Sequence, residues 1–156
     1  MKKIVNLIVT IGTLLLLPSC DSTMYYENNV DMPKETWHRD SILSFDVAID
    51  DTLSAFNIIF NNRITGQYEY SNMFLFVKIT TPDNICQFDT LECILADERG
   101  KWLGKGFGDV WTNNVYYKKN ILFPRKGEYN FTIEQAMRIE ELQHVLDAGI
   151  RIERVN

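Results

Sequence analysis

The residue type best placed to do chemistry is the thiol of Cys20, which closes the run Leu17-Pro18-Ser19-Cys20. Leucine three positions before a cysteine and a small residue just before it make the pattern of a bacterial lipobox, in which the sulfur accepts a lipid. The sequence ahead of it fits. Met1-Lys2-Lys3 is followed by an apolar stretch from Ile4 to Leu17, the layout of a secretory signal. A membrane-crossing helix needs about 20 apolar residues, so this stretch is too short for a span. The expectation is a signal peptide over residues 1–19, cleavage before Cys20, and Cys20 as the acylated first residue of the mature chain. Several palmitate-type chains, at about 0.8 kcal/mol per buried methylene, hold a protein where one chain binds only reversibly. Asp21-Ser22-Thr23-Met24 carries no acidic run of the kind that directs some lipoproteins to the cell surface. This points to a lipid-anchored envelope protein on the outer membrane, facing the periplasm.

Other chemistry is sparse. His38 and His144 are the only histidines, and neither has a sequence-local partner for a triad or a metal pair. Asp50, Asp51, Asp97, Glu98, Glu140 and Glu141 fall in turn-like or surface-like contexts, where solvated charge is the ordinary role. No HExxH, GxSxG, Walker-type or GxGxxG arrangement occurs. The glycines of Gly104-Lys105-Gly106-Phe107-Gly108 follow strand pleating and precede no helix, which argues against a phosphate loop. The reading is a protein with no catalytic residues, no metal and no cofactor. Loss of Lys2 and Lys3 takes the formal charge from −5 to −7, with no basic cluster to attract nucleic acid.

Aromatic side chains are the remaining candidates. Trp111, Tyr116 and Tyr117 follow a glycine-rich segment, and if exposed together they would make a platform for stacking sugar rings. Trp37 and Trp102 lie inside alternating runs and read as core. Cys86 and Cys93 occupy an oxidising compartment. On one straight strand they lie over ~20 Å apart, so a bridge needs a tight reversal at residues 88–91. Buried free thiols are the favoured state.

The elements that must position these residues are strands. From Trp37 onward apolar residues recur at every second position: Leu43, Phe45, Val47 and Ile49; Phe56, Ile58 and Phe60; Leu91, Cys93 and Leu95; Ile150 and Ile152. Met73, Leu75, Val77 and Ile79 alternate with Phe74 and Phe76, a run apolar on both faces that reads as a central strand. Turn residues separate the runs at about 8–12-residue spacing, the pattern of an antiparallel β-sandwich or barrel. The fold class is therefore all-β, an Ig-like or jelly-roll-like sandwich over residues 37–156. Residues 20–36 read as a tether ending in an added edge strand near Tyr25–Val30. One short helix is expected near the C-terminus, where Thr132 and Gln135 resemble a capping box and Ile133, Met137 and Leu142 an apolar stripe.

Two stretches, residues 62–82 and 89–109, resemble the signature blocks of the GldH family of gliding motility lipoproteins from the Bacteroidota. The first block corresponds to Arg63, Tyr68, Tyr70, Ser71 and Asn72, followed by Phe74 and Phe76. The second corresponds to Asp89, Thr90, Glu92, Leu95, Ala96, Asp97, Gly100, Trp102, Leu103, Gly104 and Gly106. Glu69 stands where the family usually has proline, and Ile64 follows Arg63 where it often has asparagine. The likeness runs from Trp37 to Glu153. It implies a non-enzymatic envelope component that works by contact with other proteins of a gliding machinery tied to type IX secretion. A surface carbohydrate-binding lipoprotein is the alternative. Asp40-Ser41-Ile42 and Asp51-Thr52-Leu53 resemble the O-glycosylation acceptor of that phylum and mark Ser41 and Thr52 as candidates.

Overall fold

Alternating runs become strands at almost every place they occur. The structure, a computed structural model, describes residues 22–155. Its strands are β1 (Met24–Asp31), β2 (Thr36–His38), β3 (Leu43–Ile49), β4 (Phe56–Thr65), β5 (Asn72–Thr80) and β6 (Cys86–Ile94). β7 (Lys105–Phe107), β8 (Val110–Ile121), β9 (Gly127–Gln135), β10 (Glu141–Gln143) and β11 (Val145–Arg154) follow. Two antiparallel sheets face each other, one ordered β1-β11-β4-β8-β7 and the other β3-β9-β5-β6.

Side chains of the inner faces fill the space between the sheets. Phe56, Ile58, Phe60 and Ile64 of β4 and Ile150 and Ile152 of β11 meet Phe45 and Val47 of β3, Leu75 and Val77 of β5, and Phe131 and Ile133 of β9. The period of two is what places all of these on one side of their sheet. A small third ladder pairs β2 with β10, setting Trp37 opposite Leu142. Both are fully buried, and the Trp37 indole donates to the Ser41 carbonyl at 2.9 Å. They plug the core at the end where β3, β5 and β11 begin.

The expected C-terminal helix is absent, and the segment is extended. Tyr129, Phe131, Ile133 and Gln135 are all buried on one face of β9, so the two-residue period continues through the presumed cap. Buried Gln135 closes the turn instead. Its amide nitrogen donates to the Ile139 carbonyl at 3.1 Å and its oxygen accepts from the Met137 N–H at 2.9 Å. The one helical element among the described residues is a 3-10 turn at Pro33–Glu35.

Cys86 and Cys93 are free, and both lie on β6, which runs straight through residues 88–91 where a bridge needed a reversal. Cys93 is buried, but Cys86 is exposed at the start of the strand, against the expectation of two buried thiols.

Strand polarity gives the sandwich two distinct ends. β1 starts, and β3, β5, β8 and β11 finish, at one end, together with the connections 50–55, 81–85 and 122–126. The opposite end carries the connections 66–71, 95–104 and 136–140.

Candidate functional site

A groove lies on the outer face of the four-stranded sheet. Its volume is about 560 Å³. Asn72, Phe74 and Phe76 line it from one face of β5, Thr90 from the neighbouring β6, and Tyr70 from the connection before β5. Residues 136–139 turn back over β5 and supply Met137, Arg138 and Ile139 as a wall. The start of this segment continues the β9–β5 ladder by one rung, the Ala136 N–H donating to the Phe74 carbonyl at 2.8 Å. A second hollow of about 260 Å³ shares Phe76 and Thr90 and extends the surface to Phe88. Phe76 is 55% exposed and Phe88 76%, a large apolar area for an outer sheet face.

The apolar second face of residues 73–79 thus has its explanation. β5 is a central strand, flanked by β9 and β6, and among the described residues no further sheet or helix layer covers its outer side. Phe74, Phe76 and Met137 are functional candidates that site reasoning from sequence passed over. Their signal in the sequence is the two-faced apolar run, which marks a central strand but does not say what its outer face meets.

The signature residues divide into three side-chain groups and a pair of glycines. The largest is a corner at the end of the sandwich where the groove opens. Tyr68 is buried, donates its hydroxyl to the Asn72 carbonyl at 3.0 Å, and packs its ring against Tyr70 and Trp102 at centroid distances of 5.7 and 6.3 Å. Burial, then the neighbouring Tyr70 and Cys93, push its phenol above the ordinary range, so it stays a neutral donor. The Ser71 carbonyl accepts from the N–H groups of both Leu95 and Ala96, at 2.8 and 2.9 Å. The Asn72 amide donates to Glu92 at 2.8 Å. Trp102 bridges back to Ala96, which closes the 95–104 connection around this corner, and Leu103 projects from it, 59% exposed.

The second group ties the sheets together at their edge. Asp89 of β6 accepts from Lys118 of β8 at 2.8 Å and from the Tyr117 hydroxyl at 3.3 Å. Lys118 and then the Thr90 N–H hold the Asp89 carboxyl below its usual range. The third is Arg63, whose Nε donates to Asp147 of β11. Asp147 is fully buried and also accepts from the Asn29 amide of β1 at 3.0 Å.

Gly104 and Gly106 permit close approach. A β-carbon on Gly106 would lie 2.7 Å from the Trp111 ring, and one on Gly104 2.6 Å from the Thr112 carbonyl. Trp111 is therefore laid against bare backbone of β7. It does not join Tyr116 and Tyr117 in a platform. Successive residues of β8 point to opposite sheet faces, so Tyr117 packs against the core while Tyr116 stands outside under Lys119. Ser41 is exposed, and Thr52 is half-buried in a turn. Cys20 lies outside the described residues. His38 is within 3.7 Å of Asp40 and 3.5 Å of Glu140, and no cluster of metal-ligating side chains occurs among the described residues.

Architecture and site together define a β-sandwich whose recurrent motif builds a rigid corner beside an apolar groove. Residues 24–152 match the family model of the GldH lipoprotein, and the chain belongs to that family. It is 35% identical over 161 residues to the gliding motility lipoprotein GldH homolog of Christiangramia forsetii, covering 99% of this chain and 98% of the relative. It is also 35% identical over 147 residues to the gliding motility lipoprotein GldH of Flavobacterium johnsoniae, covering 90% and 91%. No solved structure matches. No helix among the described residues is long and apolar enough to cross a membrane.

Proposed function

We propose that this protein is a non-catalytic lipoprotein of the gliding machinery, held in the cell envelope by lipid on Cys20 and acting through protein contacts at the Phe74–Phe76 groove. The observation that carries the reading is the coincidence of family signature and apolar surface. Tyr70, Asn72 and Thr90 belong to the signature and line the groove. An outer-membrane anchor facing the periplasm, the location expected from the leader, would give the groove access to other envelope proteins, those of a secretion apparatus included. Arg138 lines the groove and makes no ion pair among the described residues, so an apolar segment carrying a carboxylate would complement it. Exposed apolar side chains around a central anchor are the usual makings of a protein interface.

The test is affinity purification from detergent-solubilised membranes, comparing the native chain with Phe76→Asp. Phe76 is already half in solvent, so the substitution leaves the core intact. Recovery of motility or secretion proteins with the native chain, lost with the variant, supports the proposal. Equal recovery with both chains removes the groove from the account, and recovery of none removes the contact function.

A further inference from the structure

The covalent distance from the lipid to the sandwich is short. Thr23 is part of the folded body, because its carbonyl accepts from the Arg154 N–H at 2.8 Å. Only three Cα–Cα steps separate Thr23 from Cys20, which at 3.8 Å each allow at most ~11 Å of reach whatever the intervening conformation. That is little more than the thickness of one headgroup layer. A domain on so short a leash keeps the end that carries β1's first residue against the bilayer.

That end is built for the contact. Two of its connections, 81–85 and 122–126, are tied to each other, and the third, 50–55, to the C-terminal segment. Val155 N–H donates to the Ala55 carbonyl at 2.8 Å, and Arg125 pairs with Asp83 at 3.0 Å. The Asp51 carboxylate accepts from the N–H groups of both Leu53 and Ser54 at 3.0 Å, bonds that hold its carboxyl well below the usual range. This braced turn holds Leu53 out into solvent, 91% exposed. Leu122 and Ile85 project from the other two connections at 59% and 55%. Asp50, Asp51 and Asp83 balance Arg125, Lys126 and Arg154 here, so the contact is apolar and not a charge attraction to anionic headgroups.

We infer that the tips at Leu53, Ile85 and Leu122 seat in the membrane interface, so that the sandwich stands upright with its signature corner turned away from the bilayer. The nine residues of β5 (Asn72–Thr80), at about 3.3 Å per step, carry the groove mouth at Asn72 roughly 26 Å from that end, with the corner of Tyr68 and Trp102 beside it. A rigid end-on stance presents the groove to partners at a fixed height. The inference rests on acylation of Cys20 as proposed above.

The experiment uses the full lipidated chain with Cys86→Ser, reconstituted into vesicles of phosphatidylethanolamine and phosphatidylglycerol. One preparation carries a nitroxide on Leu53→Cys and a second on Leu103→Cys, both exposed sites that leave the core unchanged. Collision of each label with lipid-soluble oxygen and with an aqueous nickel chelate is measured, and the mass of the N-terminal peptide reports the acylation. The expected result is a severalfold higher oxygen-to-nickel ratio at residue 53 than at residue 103. Equal ratios, or the reverse order, on a chain shown to be acylated overturn the upright stance and leave the lipid anchor standing. An unmodified Cys20 peptide overturns the anchor, and the stance with it.

Discussion

Replacing Arg63 with alanine tests the signature residue whose role is most clearly electrostatic. Asp147 of β11 is completely buried, with the Arg63 guanidinium from β4 and the Asn29 amide from β1 as its partners. Breaking a fully buried ion pair by removing one member costs about 3–5 kcal/mol, because the remaining charge is left without compensation. Here the arginine side chain is 49% exposed and Asn29 still donates, so water reaches the gap and the cost falls to about 2 kcal/mol. For a domain of this size that is a drop in Tm of roughly 4–8 °C. The assay is urea denaturation of the soluble Cys20→Ser chain, followed by tryptophan fluorescence, with m unchanged. Adding Asp147→Asn to Arg63→Ala should recover most of the loss, since a neutral amide needs no counter-charge. A loss below about 0.5 kcal/mol, the size of an ordinary surface substitution, or a double variant no better than the single one, refutes the buried-charge account.

Three further outcomes follow from the same geometry. Asp51, Asp83 and Asp89 all titrate below their ordinary 3.8 in the folded chain, so their contribution to stability is present above that value and disappears as pH falls. The urea midpoint should be flat down to about pH 5 and decline below it, with a shallower decline in Asp89→Asn; a midpoint that rises on acidification contradicts this. Burial pushes the Cys93 thiol up to about 12, while Cys86 is exposed. In the Cys20→Ser chain, iodoacetamide at pH 8 should therefore modify one thiol in the native protein and two after unfolding, and rapid modification of both without denaturant would contradict the burial. A β-carbon on Gly149 would meet the Asn28 carbonyl at 2.1 Å, so Gly149→Ala should raise amide exchange across Met24–Asp31 while the β4 amides stay protected.

The strands were legible because one face of each is wet. In β3 the alternation of Leu43, Phe45, Val47 and Ile49 with Ser44, Asp46 and Ala48 translates residue by residue into buried and exposed positions. The C-terminal helix was misread because Ile133 and Met137 satisfy a helical spacing, while the competing period through Tyr129, Phe131, Ile133 and Gln135 is longer and prevails. The groove was half legible. Phe74 and Phe76 announced an apolar second face, but its wall at Met137 and Ile139 comes from a segment some 60 residues later in the chain, and no local pattern reports that meeting. Asp147 was not legible, because its partner Arg63 is 84 residues away. The signature blocks marked the right residues without their roles. Tyr68 and Asn72 build a corner, Asp89 clamps two sheets, and Arg63 neutralises a buried charge.

The contact function is tested most directly by photocrosslinking in living cells from a photoreactive residue at position 76. The proposal predicts a discrete adduct with another envelope protein from Phe76, and none from the same residue at Asp46, which faces solvent on the same sheet but outside the groove. No adduct from position 76, or identical adducts from both positions, would contradict it.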